Sequence, residues 1–202
     1  MTPFGCHGRV PRRLSEDELI LVASLGPLVR SPRQAKRLLN LYRMVRSTRD
    51  LSPSSAFLGS EAQPGEYQAV GVLLGLLTAH PRLLGRLLAA EPTEALPGGI
   101  GHRDPGESWD HVVAGLEPRP SGDGWENDVC AQMSEEDRRE WTELVERVAP
   151  ATALVRLPDL TAFRFWGPRV ARFSFVLSPL ALTEEPVRAA TPPPVAAVAD
   201  FG

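Results

Sequence analysis

The residues best suited to chemistry in this chain stand close together: Arg33, Lys36 and Arg37, just after Ser31 and Pro32. Spacings of three and four bring all three cations to one side of a helix. A serine followed by proline opens such a helix. The hydroxyl caps a free amide, and proline suits the first helical position because its missing N–H would have had no partner there. A start of this kind can hold an anion. Guanidinium groups match phosphate oxygens, and the first helical turn adds unpaired N–H groups and positive potential. Arg33 lies in that turn and is the leading candidate for a phosphate contact.

These residues lack what is needed to cleave a nucleotide. A Walker A loop has the form G-x-x-x-x-G-K-[ST], in which backbone amides cradle the phosphates and the lysine neutralises them. Lys36 is the single lysine of the chain, and Arg33, Gln34 and Ala35 precede it rather than a glycine loop. The nearest approach to a Walker B strand, residues 195–200 ending in Asp200, stands in a proline-rich stretch. No complete catalytic set is therefore expected. No metal site is expected either: Cys6-His7 has no second pair at ligand spacing, and the carboxylates of residues 104–128 lack the EF-hand pattern. Of the four histidines, His7, His102 and His111 sit with His80 in or beside expected loops, and none completes a nucleophilic triad.

The elements that must position Arg33 can be read from the apolar spacing. A first helix starts at Ser15, with Glu18 three residues on as a capping box and Leu14 and Leu19 at staple positions. Its expected apolar face is Leu19, Ile20, Val22, Ala23 and Leu25, ended by Gly26-Pro27. The second helix spans residues 31–46, with Ala35, Leu38, Leu39, Tyr42 and Val45 as its core stripe and the basic residues on the other faces. A loop over 50–65 leads to a helix over 66–79, apolar nearly all round and so central. His80-Pro81 breaks it, and a short helix over 82–90 follows. Residues 91–126, rich in Gly, Pro and acids, read as a mobile loop holding one short helix near 108–115. Ser134 caps a further helix whose stripe is Trp141, Leu144, Val145 and Val148, closed by Pro150. Gly167-Pro168 divides the aromatic-rich 163–175 into a short helix and an extended end. Residues 1–13 read as a leader or truncated remnant, and 178–202 as a disordered Ala/Pro tail. The expected architecture is mainly α: one compact bundle of five or six helices over 14–177.

Composition sets wider bounds. The chain has 202 residues, 43% hydrophobic, with a net charge of −3, so it is not a general nucleic-acid binder. Charge is uneven, however: residues 30–49 hold seven basic side chains and no acid, and over residues 104–128 the balance is acidic. Two distant cysteines, Cys6 and Cys130, fit a reducing, cytoplasmic setting. The longest apolar run, residues 69–79, is too short to span a bilayer.

The run Ser31-Pro32-Arg33-Gln34-Ala35-Lys36-Arg37-Leu38-Leu39-Asn40-Leu41-Tyr42-Arg43 resembles a segment of the KAP family of P-loop NTPases, in which Ser-Pro-Arg opens a helix of pattern K-R-x-x-N-x-Y-R. The capped helix before it, the apolar helix ending at His80-Pro81 and the closing segment 165–175 come in an order similar to the family's C-terminal part. The resemblance implies a helical lid fragment of an ATPase, inactive alone, that lacks the Walker A and B core. It implies a sensor-type contact from Arg33 to ATP phosphates, with Lys36 and Arg37 as secondary candidates and Pro32 beside the adenine ring. ATP and Mg²⁺ would belong only to an intact protein. The implied partner is a P-loop core domain, in cis or in trans, with self-association left open. Two other classes compete: a stand-alone helical interaction module, and a DNA-binding protein using residues 16–46 as a helix-turn-helix. Against the last, no base-stacking aromatics interleave the basic residues.

Overall fold

The computed structural model describes residues 13–89, 99–116 and 134–174. Among these residues it is mainly helical, with seven α-helices and no strand: α1 (Glu16–Ser24), α2 (Pro32–Ser47), α3 (Glu66–Ala79), α4 (Pro81–Leu88), α5 (Trp109–Leu116), α6 (Glu135–Ala153) and α7 (Leu160–Ala171). Single 3₁₀ turns lie at Gly26–Leu28 and Ile100–His102. A compact helical bundle is therefore the right description. Residues 1–12 of the expected leader, residues 91–98 and 117–126 of the expected loop, and the 178–202 tail lie outside the described residues. Within 91–126, the described part is packed: Ile100, Trp109 and Val112 are core residues, and Trp109 stacks on Phe163 with ring centroids 4.7 Å apart.

α3 is the axis of the bundle. Every residue from Tyr67 to Thr78 is buried, and α1, α2, α4 and α7 all pack on it. Its all-round apolar sequence demands this, because no face could be left to water. Gly71 and Gly75 let the first helical segment come close: a Cβ on Gly71 would lie 2.7 Å from Leu21 Cδ2, and one on Gly75 3.2 Å from Leu28 Cδ1. α7 closes the other side through Phe163, Trp166 and Val170. Trp166 donates its indole N–H to Glu66 (3.0 Å), meets Phe57 edge-on, and carries the Arg49 guanidinium 4.8 Å above its ring.

Three expectations are corrected. α6 continues past Pro150 to Ala153. Proline there removes one helical hydrogen bond but does not stop the turn, and the Thr152 hydroxyl donates to the carbonyls of Val148 and Ala149. α7 likewise runs through Gly167-Pro168 without division. Gly167 is needed for packing, since a Cβ would come 2.8 Å from Leu88 Cδ2. The third concerns α1, whose buried face is Glu18, Leu21, Ser24 and Leu25. Leu19 and Ile20 are 54% and 46% exposed, so the staple expected from Leu14 and Leu19 has its second half in water.

The rotation of α1 follows from Glu18, which is completely buried. It makes the expected capping box with Ser15, accepting from the Ser15 amide (2.8 Å) while its own amide donates to the Ser15 hydroxyl. The same carboxylate also reaches α2. One oxygen accepts from the Tyr42 hydroxyl (2.7 Å) and from Arg46 Nε (2.6 Å), and the other accepts from Arg46 Nη2 (3.1 Å). Arg46 donates in addition to the Arg13 carbonyl. Burial alone would push the Glu18 carboxyl up. The hydrogen bonds from Arg46, Ser15 and Tyr42, with the Arg46 charge, outweigh it and hold the carboxyl below its ordinary 4.5. Burial and the neighbouring carboxylate push the Tyr42 hydroxyl strongly up, so it stays a donor.

Removing one member of a buried ion pair strands the other. Glu18→Gln is therefore expected to cost about 3–5 kcal/mol in urea unfolding. The sign of the pH effect follows from the lowered value: the folded carboxyl gives up its proton more readily than the unfolded one. The stabilisation is complete above 4.5 and fades as pH falls through the folded value. Urea midpoints measured from about pH 7 to pH 3 should fall less steeply for Glu18→Gln than for the wild type.

Candidate anion-binding face of the second helix

α2 begins as its sequence requires. Ser31 is the N-cap, its hydroxyl accepting from the Gln34 amide (3.2 Å), and Pro32 follows at the first helical position. Gln34 completes a shifted capping box, accepting from the Arg30 amide (2.8 Å) rather than from Ser31. Leu38, Tyr42 and Val45 are buried, in keeping with the expected stripe. Ala35 is exposed and Leu39 half-buried, and Arg46 takes a place in the buried face instead.

The four residues singled out from the sequence lie at the opening of this helix. Pro32, Arg33, Lys36 and Arg37 are all exposed. Arg33 and Lys36 make no ion pair or hydrogen bond among the described residues, and neither does Arg43, two turns further on. Arg37 has one link, donating to the Phe173 carbonyl at 3.3 Å. Helical periodicity puts Arg33, Lys36, Arg37 and Arg43 in one arc of the solvent face. α2 contains no acidic residue.

The other three basic residues of the 30–49 stretch serve the fold. Arg30 pairs with Glu143 of α6 (2.5 Å), Arg46 with Glu18, and Arg49 covers Trp166. The basic stretch thus divides into three structural cations and four that face solvent. Like charges three and four residues apart on a helix repel by about 0.2–0.5 kcal/mol per pair. Apart from the single bond from Arg37 to the Phe173 carbonyl, the exposed cluster therefore does nothing for folding. It is an arrangement that an anion would relieve: several positive side chains beside the positive end of a capped helix, with the Arg33 amide free of a helical partner.

Two buried features carried no sequence signal. His80 closes the joint between α3 and α4, is 2% exposed, and pairs through Nδ1 with Glu140 of α6 at 2.7 Å. The Glu18–Arg46–Tyr42 cluster joins residues 24 and 28 positions apart. Neither separation matches a helical or strand period. Among the described residues no group of three His, Cys, Asp or Glu side chains could hold a metal ion, and no helix is long and apolar enough to cross a membrane.

Because Arg33 and Lys36 support nothing in the fold, Arg33→Ala and Lys36→Ala should each change unfolding free energy by no more than about 0.5 kcal/mol, in contrast to Arg46→Ala at about 3 kcal/mol or more. Urea denaturation of the three variants checks this. No protein-family model matches the chain, and neither a curated protein nor a solved structure matches it.

Proposed function

We propose that this chain is a helical lid of a KAP-type P-loop ATPase, and that α2 offers Arg33 to nucleotide phosphates held by a core domain in cis or in trans. The single observation that carries the reading is the placement of Arg33: exposed, unpaired, and in the first turn of a capped helix without acids. Lys36 and Arg37 reinforce the positive field one turn on, and Pro32 stands at the tip of the helix. Nucleotide and Mg²⁺ belong to the core, which would also supply the Walker residues, so the lid does not turn over ATP by itself. Its task is to add a guanidinium fork as charge builds on the phosphates, and to couple that contact to movement of the bundle. The same reading places the module in the cytoplasm.

The first test is the DNA upstream of the Met1 codon, translated in three frames. Walker A and Walker B motifs in frame, or one frameshift away, are expected. Unrelated sequence there would defeat the in-cis lid reading, and no gain in stability with a separately supplied P-loop core and ATP would then defeat the in-trans one and move the chain to the stand-alone interaction modules. In the contiguous protein, Arg33→Ala should lower ATP turnover by about 10²-fold with an unchanged melting temperature. Arg33→Lys should restore only part of the rate, because an ammonium cannot make the paired contact.

A further inference from the structure

A second surface lies on the other side of α2. Between α1, the Gly26–Leu28 turn and the start of α2 runs an open groove of about 350 Å³, lined by Val22, Val29, Pro32, Ala35 and Leu38, with Arg30 and Ser31 at one end. Its floor is aliphatic. The one hydroxyl at its edge, Ser31, is engaged as the α2 cap. On α1, helical periodicity sets Leu19 and Ala23, both exposed, beside the groove residue Val22, which is half-buried. One end is firmly built: Arg30 bridges to Glu143, Glu143 also pairs with Arg147 (2.6 Å), and Arg147 donates to the Pro27 carbonyl.

The rim has a definite charge. Helical periodicity puts Lys36 and Arg43 beside Pro32 and Leu39 along the α2 edge, both exposed and without partners among the described residues. A seam between two helices, aliphatic at the bottom and cationic along one edge, fits an amphipathic helix with carboxylates beside its apolar stripe. The one cation in its lining, Arg30, is already paired with Glu143, which disfavours a phosphate ligand there. We infer that the α1–α2 groove is a docking site for an acidic amphipathic helix of a partner protein. By the same periodicity Arg33 points away from the groove, whereas Pro32 and Lys36 border both surfaces.

The test uses the full chain and a fluorescent synthetic helix of roughly 18 residues, with leucines at three- and four-residue spacing and glutamates flanking them. Its counterpart has lysines in place of the glutamates. Fluorescence anisotropy should show the acidic peptide binding at least about tenfold more tightly than the basic one. Ala35→Glu puts a carboxylate into the groove at an exposed, helix-tolerant position. It should weaken acidic-peptide binding by about tenfold or more with the melting temperature unchanged, whereas Arg33→Glu should stay within about threefold. Equal loss in Arg33→Glu, or none in Ala35→Glu, would place the peptide on the basic face and overturn the assignment. Absence of binding, or equal binding of the basic peptide, would also overturn it. So would a dimer of the free chain, seen by sedimentation and dissolved by Ala35→Glu, which would give the groove to a second copy.

Discussion

The buried carboxylate of Glu18 is the constraint on which the rest of the structure depends. A charge taken out of water is tolerable only when its oxygens are saturated, and here four donors do this: the Ser15 amide, the Tyr42 hydroxyl and two nitrogens of Arg46. Those donors come from two helices, so the pairing is also a geometric instruction. The start of α1 must lie against the end of α2, and α2 must be turned so that Tyr42 and Arg46 face inward. Once that rotation is set, Arg33, Lys36, Arg37 and Arg43 have no choice but to face solvent. The candidate anion-binding face is thus fixed from the far end of its own helix.

The same arrangement separates two surfaces that the linear sequence merges. Arg30, Arg33 and Arg46 look alike in a basic run, yet one bridges to α6, one faces water and one is nearly sealed in the core. Burial changes what an arginine does: paired and desolvated, it organises the fold, while exposed among other cations it has no structural partner. On the groove side of α2 the residues are small or aliphatic and the backbone is fully capped. A surface for charge, centred on Arg33, and a surface for apolar contact therefore adjoin on one helix, with Lys36 and Arg43 at their common edge.

Much of the bundle was legible because its helices are amphipathic in the ordinary way. The Trp141, Leu144, Val145 and Val148 stripe, the Ser31-Pro32 opening and the all-apolar α3 needed only local rules. The exposed position of Arg33 in the first turn was legible for the same reason, since cap and charge lie within one turn. The failures have physical causes too. α1 buries a glutamate, and a pattern that counts glutamate as polar turns that helix the wrong way, bringing Leu19 and Ile20 inward when they are outside. Pro150 and Pro168 read as stops, although each costs only part of a turn once neighbouring contacts hold the helix. Arg46, His80 and the groove arise from contacts between distant segments, and no local spacing encodes those.

The spans of these contacts also order the assembly of the bundle. The Glu18 cluster closes over fewer than thirty residues, as the separations of 24 and 28 show, so α1 and α2 can find each other early at small loop-closure cost. The bonds that hold α7 are of another kind: Trp166 to Glu66 spans 100 residues, and Arg37 to Phe173 spans 136. Long closures form late, because the chain between their ends must already be compact. By loop length alone, the first two helices are expected to pair before the last one closes the bundle, and the basic helix belongs to the early pair. Its outward face is therefore set before the bundle is shut.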